Sequence, residues 1–137
     1  MSDVAAHALA IANLKARYCR AADTAAEDVV AARAMFADMF TDDFVGDYGY
    51  GLVPDQTALV DFLCNAIAGG SFWMIHMLHS PRIEIDGEQA TGEWVVTAQS
   101  KRRETGEISF VLGRYSDVFR LGADGWRIAR IDFTRPA

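Results

Sequence analysis

Apolar residues recur with two different periods along this chain, and the period changes near residue 70. From Val4 to Ala22, Ile11, Leu14 and Tyr18 stand at i, i+3 and i+7, with Ala21 continuing the stripe. That spacing predicts an amphipathic helix. Thr24-Ala-Ala-Glu27 reads as a capping box, the hydroxyl and the carboxylate each satisfying a free amide at a helix start. It predicts a second helix carrying Val29, Ala32, Phe36 and Phe40 at helical spacing. A third is expected from about Asp55 to Ala68, with Pro54 near its start and Gly69-Gly70 past its end. Its buried stripe would be Leu59, Phe62, Leu63 and Ala66.

Beyond Gly70 the period is two. Ile83 and Ile85 alternate with charged residues, and Asp86-Gly87 then turns the chain into a strand with Trp94, Val96 and Ala98 on one face. Further reversals are expected at Glu104-Thr-Gly-Glu107 and at Ala123-Asp-Gly125, ahead of Trp126 and Ile128. The strand from Ile108 to Arg120 is apolar on both faces: Ile108, Phe110, Leu112 and Val118 on one, Val111, Tyr115 and Phe119 on the other. A strand buried on both sides needs cover beyond its own helices, so the outer sheet face is expected to be a homodimer interface. Helices followed by an antiparallel meander make an α+β domain with the helices on one sheet face.

Composition narrows the function. The chain has 137 residues, 51% of them hydrophobic and 23% charged, which fits one globular domain over residues 1–137. Thirteen basic against nineteen acidic residues give a net charge of −6, so nucleic acid is not an expected partner. No apolar run approaches a membrane span and the first twenty residues lack a signal-peptide pattern, so neither membrane nor export is expected. Cys19 and Cys64 lack metal or redox spacing and read as two free thiols of a reducing cytoplasm. His76-x-x-His79 invites a zinc reading, but i and i+3 on a strand face opposite ways, so no metal is expected. No nucleotide motif is present, so no dinucleotide cofactor is implied.

Several blocks resemble the SnoaL-like group within the nuclear transport factor 2-like superfamily. They are Leu14-Lys-Ala-Arg-Tyr18-Cys-Arg-Ala-Ala-Asp23-Thr, Phe36 to Phe44, His76-Met-Leu-His-Ser-Pro-Arg-Ile-Glu-Ile-Asp-Gly87, and Gly113-Arg-Tyr-Ser-Asp-Val-Phe119 with Gly125-Trp-Arg-Ile128. The resemblance implies a cone-shaped fold, a curved antiparallel sheet wrapped around three N-terminal helices with a deep pocket between them. It implies no single reaction, because the fold hosts isomerases, dehydratases, cyclases, lyases and silent binders. The region is similar to hexachlorocyclohexane dehydrochlorinase and scytalone dehydratase, which pair a helix-end aspartate with a strand histidine. Asp23 and His76 fall at those positions, and Tyr48 falls at a pocket tyrosine of scytalone dehydratase. A one-residue shift would put Asp47 where ketosteroid isomerase has its base, and Tyr18 lies near that enzyme's oxyanion-hole tyrosine. The second pocket histidine of scytalone dehydratase has no counterpart, and Arg114 replaces the oxyanion-hole aspartate of ketosteroid isomerase.

The residues themselves add chemistry to this outline. Asp23 stands at the carboxyl end of the first helix, where the dipole disfavours an anion, and is otherwise a turn residue. His76 lies in an apolar run, Phe72 to Leu78, where a histidine is either packed core or a base. An imidazole held by a carboxylate on one ring nitrogen presents the other as a general base near neutrality. Tyr18 shares the face of Ile11 and Leu14 and is expected to point its phenol at the pocket or to pack as core. Tyr48 and Tyr50 alternate with Asp47 and Gly49, and the resemblance puts Tyr48 inward. Arg114 follows Phe110 and Leu112 at strand spacing, so it is expected either to clamp a substrate oxygen or to pair with Asp132, Asp47 or Asp23. Trp73 is expected in the pocket wall or the core. The reading is a cofactor-independent, dehydratase-like lyase or isomerase acting on a small apolar ring-bearing carbonyl compound by proton abstraction. Its alternative is a non-catalytic module of the same fold that binds a hydrophobic ligand or a partner subunit.

Overall fold

An aspartate opens each of the three helices. In the computed structural model, which describes residues 3–137, the Asp3 carboxylate accepts the Ala6 amide at the head of α1 (Val4–Thr24). Asp28 does the same for Ala31 at the head of α2 (Val29–Met35), and Asp55 for Ala58 at the head of α3 (Gln56–Gly70). Each bond satisfies one of the amides that a helix start leaves free. The expected capping box at Thr24 is therefore not used. α1 runs on through Thr24, whose hydroxyl donates to the Arg20 carbonyl, and Asp28, a ready N-cap, starts the next helix one turn later. α2 is also shorter than the spacing predicts. Asp38 adopts a left-handed φ of 64°, which turns the chain so that Phe40 begins a strand. Phe36 and Phe40 still meet in the core, stacked with ring centroids 6.3 Å apart.

The strands are β1 (Phe40–Asp47), β2 (Leu52–Val53), β3 (Ser71–Asp86), β4 (Gln89–Arg102), β5 (Ile108–Gly122) and β6 (Gly125–Thr134). They form one sheet in the order β2-β1-β6-β5-β4-β3. The expected meander is β3 through β6, antiparallel throughout. The pairing of β1 with β6 is parallel, so the sheet is mixed rather than wholly antiparallel. β2, α3 and the strands β3 to β5 separate those two strands in sequence, which is the long crossover a parallel pair requires. Register shifts in β3, at Ser71/Trp73 and His79/Arg82, and in the β5–β6 pair bend the sheet around the helices.

The inner face carries the core. Trp94 of β4 lies opposite Tyr115 of β5, Val96 opposite Gly113, and Ala98 opposite Val111. Gly113 has a steric reason: a Cβ there would stand 2.5 Å from the Phe133 ring and 2.7 Å from the Thr134 carbonyl oxygen. The bare backbone is what lets Phe133 of β6 lie across β5. α1 covers the sheet with Ile11, Leu14, Tyr18, Ala21 and Ala22, all buried. No helix among the described residues is long and apolar enough to cross a membrane.

Candidate functional site

Asp23 and His76 meet where the end of α1 crosses β3. The Asp23 carboxylate accepts the His76 backbone amide at 3.0 Å, and its Oδ1 lies 2.6 Å from the ring Nδ1. Two bonds to one residue fix both the strand position and the imidazole plane. They also offset the unfavourable placement of an anion at a helix carboxyl end. With Nδ1 donating to Asp23, Nε2 is the acceptor nitrogen and has no protein partner among the described residues. The side chains retain 12% exposure for His76 and 22% for Asp23, so the pair is shielded but reachable.

His76 lines a cavity of about 380 Å³ between α3 and the inner sheet face. α3 supplies Phe62, Leu63 and Ile67; the sheet supplies Met74, Val96, Val111, Tyr115 and Phe133. Tyr48 closes one side, its ring stacked at 27° on Phe133 with centroids 6.1 Å apart. Its hydroxyl is hydrogen-bonded to that of Tyr18, which is wholly buried behind it. Burial holds the phenols of Tyr18, Tyr48 and Tyr115 well above the ordinary tyrosine value. All three are therefore neutral hydroxyls at physiological pH, able to donate. When Tyr18 donates to Tyr48, the Tyr48 proton is left for whatever occupies the cavity.

His76 and Tyr48 both line this space, with Asp23 behind His76 and Tyr18 one hydrogen bond behind Tyr48. Tyr50 does not share Tyr48's environment. β1 ends at Asp47, and Gly49 with φ +92° breaks the alternation, leaving Tyr50 76% exposed at the cavity rim. The Asp47 carboxylate accepts the Gly49 amide instead of facing the cavity. Arg114 is a correction: it is exposed, and it is absent from the cavity and from every close ion pair with Asp132, Asp47 or Asp23. Its strand neighbours Ile108, Phe110 and Leu112 are themselves exposed, so the apolar parity that marked a core face marks the outer face. Trp73 is a second correction. It alternates with Met74 and His76, which line the cavity, and does not line it itself. His79 also faces out, bonded to the Thr97 hydroxyl at 3.0 Å. Among the described residues no three histidine, cysteine or acidic side chains converge as a metal site.

Three features escaped the sequence reading. Lys15 and Asp117 form an ion pair at 2.7 Å with both side chains fully buried. Phe133 forms cavity wall, a role whose one sequence signal is a glycine, Gly113, within the apolar strand it crosses. Arg135, beyond the last strand, reaches the cavity rim.

Solved structures share this architecture. A nuclear transport factor 2-like superfamily protein from Salmonella enterica serovar Typhimurium superposes with a TM-score of 0.86 at 20% identity, covering 98% of this chain and 94% of that one. Hexachlorocyclohexane dehydrochlorinase LinA-type3 from Novosphingobium barchaimii gives 0.81 at 16% identity, covering 96% and 88%. A candidate scytalone dehydratase from Novosphingobium aromaticivorans gives 0.79 at 17% identity, covering 93% and 83%. At such identities the likeness is one of fold. No protein of curated function matches the chain. The SnoaL-like domain model matches residues 3–132, helices and all six strands nearly to the end, and the chain therefore belongs to the SnoaL-like family.

Proposed function

We propose that the protein is a cofactor-independent lyase or isomerase that removes a proton from carbon in a small, apolar, ring-bearing carbonyl compound. One observation carries this reading: Asp23 holds His76 by ring and backbone at once, and the free Nε2 belongs to a residue that lines an apolar cavity. Nε2 takes the proton from a C–H bond acidified by the adjacent carbonyl, and Asp23 stabilises the imidazolium that forms. The electron pair moves into the carbonyl, whose oxygen accepts the Tyr48 hydroxyl. In an elimination the enolate then expels a hydroxyl on the next carbon, which leaves as water with the proton held on Nε2. In an isomerisation the imidazolium returns the proton to a different carbon.

2-Tetralone is a suitable probe, since it has an apolar ring, a carbonyl and acidic C–H bonds but no leaving group. Exchange of its α-protons in D₂O, followed by NMR, should be accelerated by the wild-type protein. His76→Gln should abolish the acceleration, and Asp23→Asn should lower it by about 10²-fold or more. Binding of tetralone without accelerated exchange would make the protein a hydrophobic-ligand binder instead.

We also propose that a second copy covers the outer sheet face. Ile75 and Phe110 flank Gln99 across the strands, Met77 and Leu112 flank Thr97, and Ile75, Ile108, Phe110 and Leu112 are all exposed. Such a patch on an edge-to-edge continuous sheet face is the composition of an interface.

A further inference from the structure

Charge is distributed very unevenly along the cavity wall. Apart from His76 and Arg135, every lining side chain is apolar or a tyrosine. His76 sits with the Asp23 carboxylate at its back, 2.6 Å from the ring, so an anion at the dyad end would lie beside a carboxylate. Arg135 is exposed while still lining the cavity, which puts its guanidinium at the rim, 5.8 Å from the centre of the Phe133 ring.

That guanidinium is uncommitted. Arg33, Arg82, Arg120 and Arg130 each hold a carboxylate within 2.8 Å, and Arg127 has two within 4 Å. Arg103 donates to the Ala68 and Ala26 carbonyls. Arg17, Arg20, Arg102 and Arg114 have no such partner among the described residues, but they are exposed and none of them lines this cavity. Arg135 is the arginine that is both unpaired among the described residues and part of the cavity lining, although it also borders a neighbouring hollow with Leu112, Gly113 and Arg114. An aromatic platform under a guanidinium limits its rotamers, which favours a bidentate approach by a planar anion.

We infer that the ligand of this cavity is an amphiphilic anion, a ring compound with a carboxylate at one end that Arg135 receives at the rim. The inference rests on the proposed function, because it takes the cavity as the place where the reacting compound binds. It adds an orientation. Repulsion from Asp23 and attraction to Arg135 act in the same sense, so the carboxylate points outward and the end remote from it reaches His76. The proton removed thus belongs to the carbonyl-bearing end and not to the carbon next to the carboxylate. On a protein with net charge −6, Arg135 also decides whether an anion is admitted at all.

Two probes of matched shape test this: 2-naphthoate, which carries the anion, and 2-acetylnaphthalene, which does not. Dissociation constants would be measured for wild type, Arg135→Gln and Arg135→Lys at low and high salt, with the His76 ring resonances followed in each titration. Wild type should prefer naphthoate by about two- to fivefold at low salt, the range expected of an exposed ion pair. Arg135→Gln should erase that preference without weakening the ketone, and Arg135→Lys should keep part of it. If both probes move the His76 resonances but naphthoate binds no better, or its preference survives Arg135→Gln, the inference is overturned while the cavity keeps its proposed role. If neither probe moves His76, the proposed function falls and this inference with it.

Discussion

Lys15 and Asp117 face each other at 2.7 Å in the centre of the domain, with no exposed side-chain surface on either. Among the described residues, neither the ammonium nor the carboxylate oxygens have a hydrogen-bond partner beyond this pairing. What surrounds the ammonium instead is aromatic: its nitrogen lies 3.5 Å from the centre of the Tyr115 ring and 4.2 Å from that of Tyr18. Two π faces thus stand where water or carbonyls would solvate a lysine elsewhere. A pair this dry is costly to break from one side and not costly to remove as a whole. Lys15→Met and Asp117→Leu alone should each destabilise by about 3–5 kcal/mol, since each leaves a lone buried charge. The double variant should be within about 1–2 kcal/mol of wild type or above it, by the same logic. Denaturant unfolding of the four proteins gives the coupling directly, and additive losses would contradict it.

Burial also raises the Asp117 carboxyl to about 6, in spite of the opposing pull of Lys15. An unfolded aspartate titrates near 4, so between roughly pH 4 and 6 the native state binds a proton that the unfolded state does not. Stability therefore falls as pH rises through that window, and is level above it as far as this group is concerned. The change is on the order of 2–3 kcal/mol. Urea midpoints at pH 4, 5, 6 and 7 would show it as a slope that is lost in the Lys15→Met/Asp117→Leu double variant. Surface carboxylates such as Asp43, whose pKa the Arg120 hydrogen bond lowers, pull in the opposite sense at lower pH. The comparison with the double variant removes their contribution.

Gly113 ties the fold to the cavity through Phe133. An alanine methyl at 113 would drive the Phe133 ring and the Thr134 carbonyl out of place, and Phe133 is the ring on which Tyr48 stacks. Gly113→Ala should cost about 1–3 kcal/mol, the usual range for an overpacked core. It should also weaken tetralone binding more than a destabilisation of that size at a remote position would. Adding Phe133→Leu should recover part of the stability, since the branched chain no longer reaches over β5. Calorimetric melting of the single and double variants decides this, and a fully additive loss would mean that the crowding lies elsewhere.

How much of this was legible in the sequence depends on the length scale of the signal. Helical stripes such as Ile11, Leu14 and Tyr18, and the alternation of Trp94, Val96 and Ala98, report which side of a local element meets the core, and those faces are buried as expected. Termini depend on competition between neighbours, and at Thr24 a second capping residue four positions on, Asp28, takes the role. The parallel β1–β6 pair has no local signature, because it joins strands at opposite ends of the chain. Arg114 shows a different limit. Ile108, Phe110, Leu112 and Arg114 do share one face, but periodicity cannot say which face of a two-sided apolar strand is inner. That is settled by Tyr115 and Phe119 meeting α1 and the core. Lys15 and Asp117 left no local signature, because the pair joins residues far apart in the sequence.

The same ambiguity bears on the quaternary structure. A strand apolar on both faces has one face that the helices cannot reach, and in β5 it is the face of Ile108, Phe110 and Leu112, each about half exposed or more. If a second copy covers it, the contact is self-complementary and one substitution enters the interface twice. Leu112 lies between Thr97 and the outer edge of this patch, where its removal leaves the inner-face neighbours Val111 and Gly113 in place. Leu112→Asp should therefore convert a dimer at micromolar concentration into a monomer by light scattering, with little change in the far-UV circular dichroism spectrum. A wild-type protein that is already monomeric at that concentration would remove the dimer proposal. A dimer that survives Leu112→Asp would place the interface on another surface. Arg114, at the end of the same row, would then be an exposed charge on an open face and not the rim of a subunit contact.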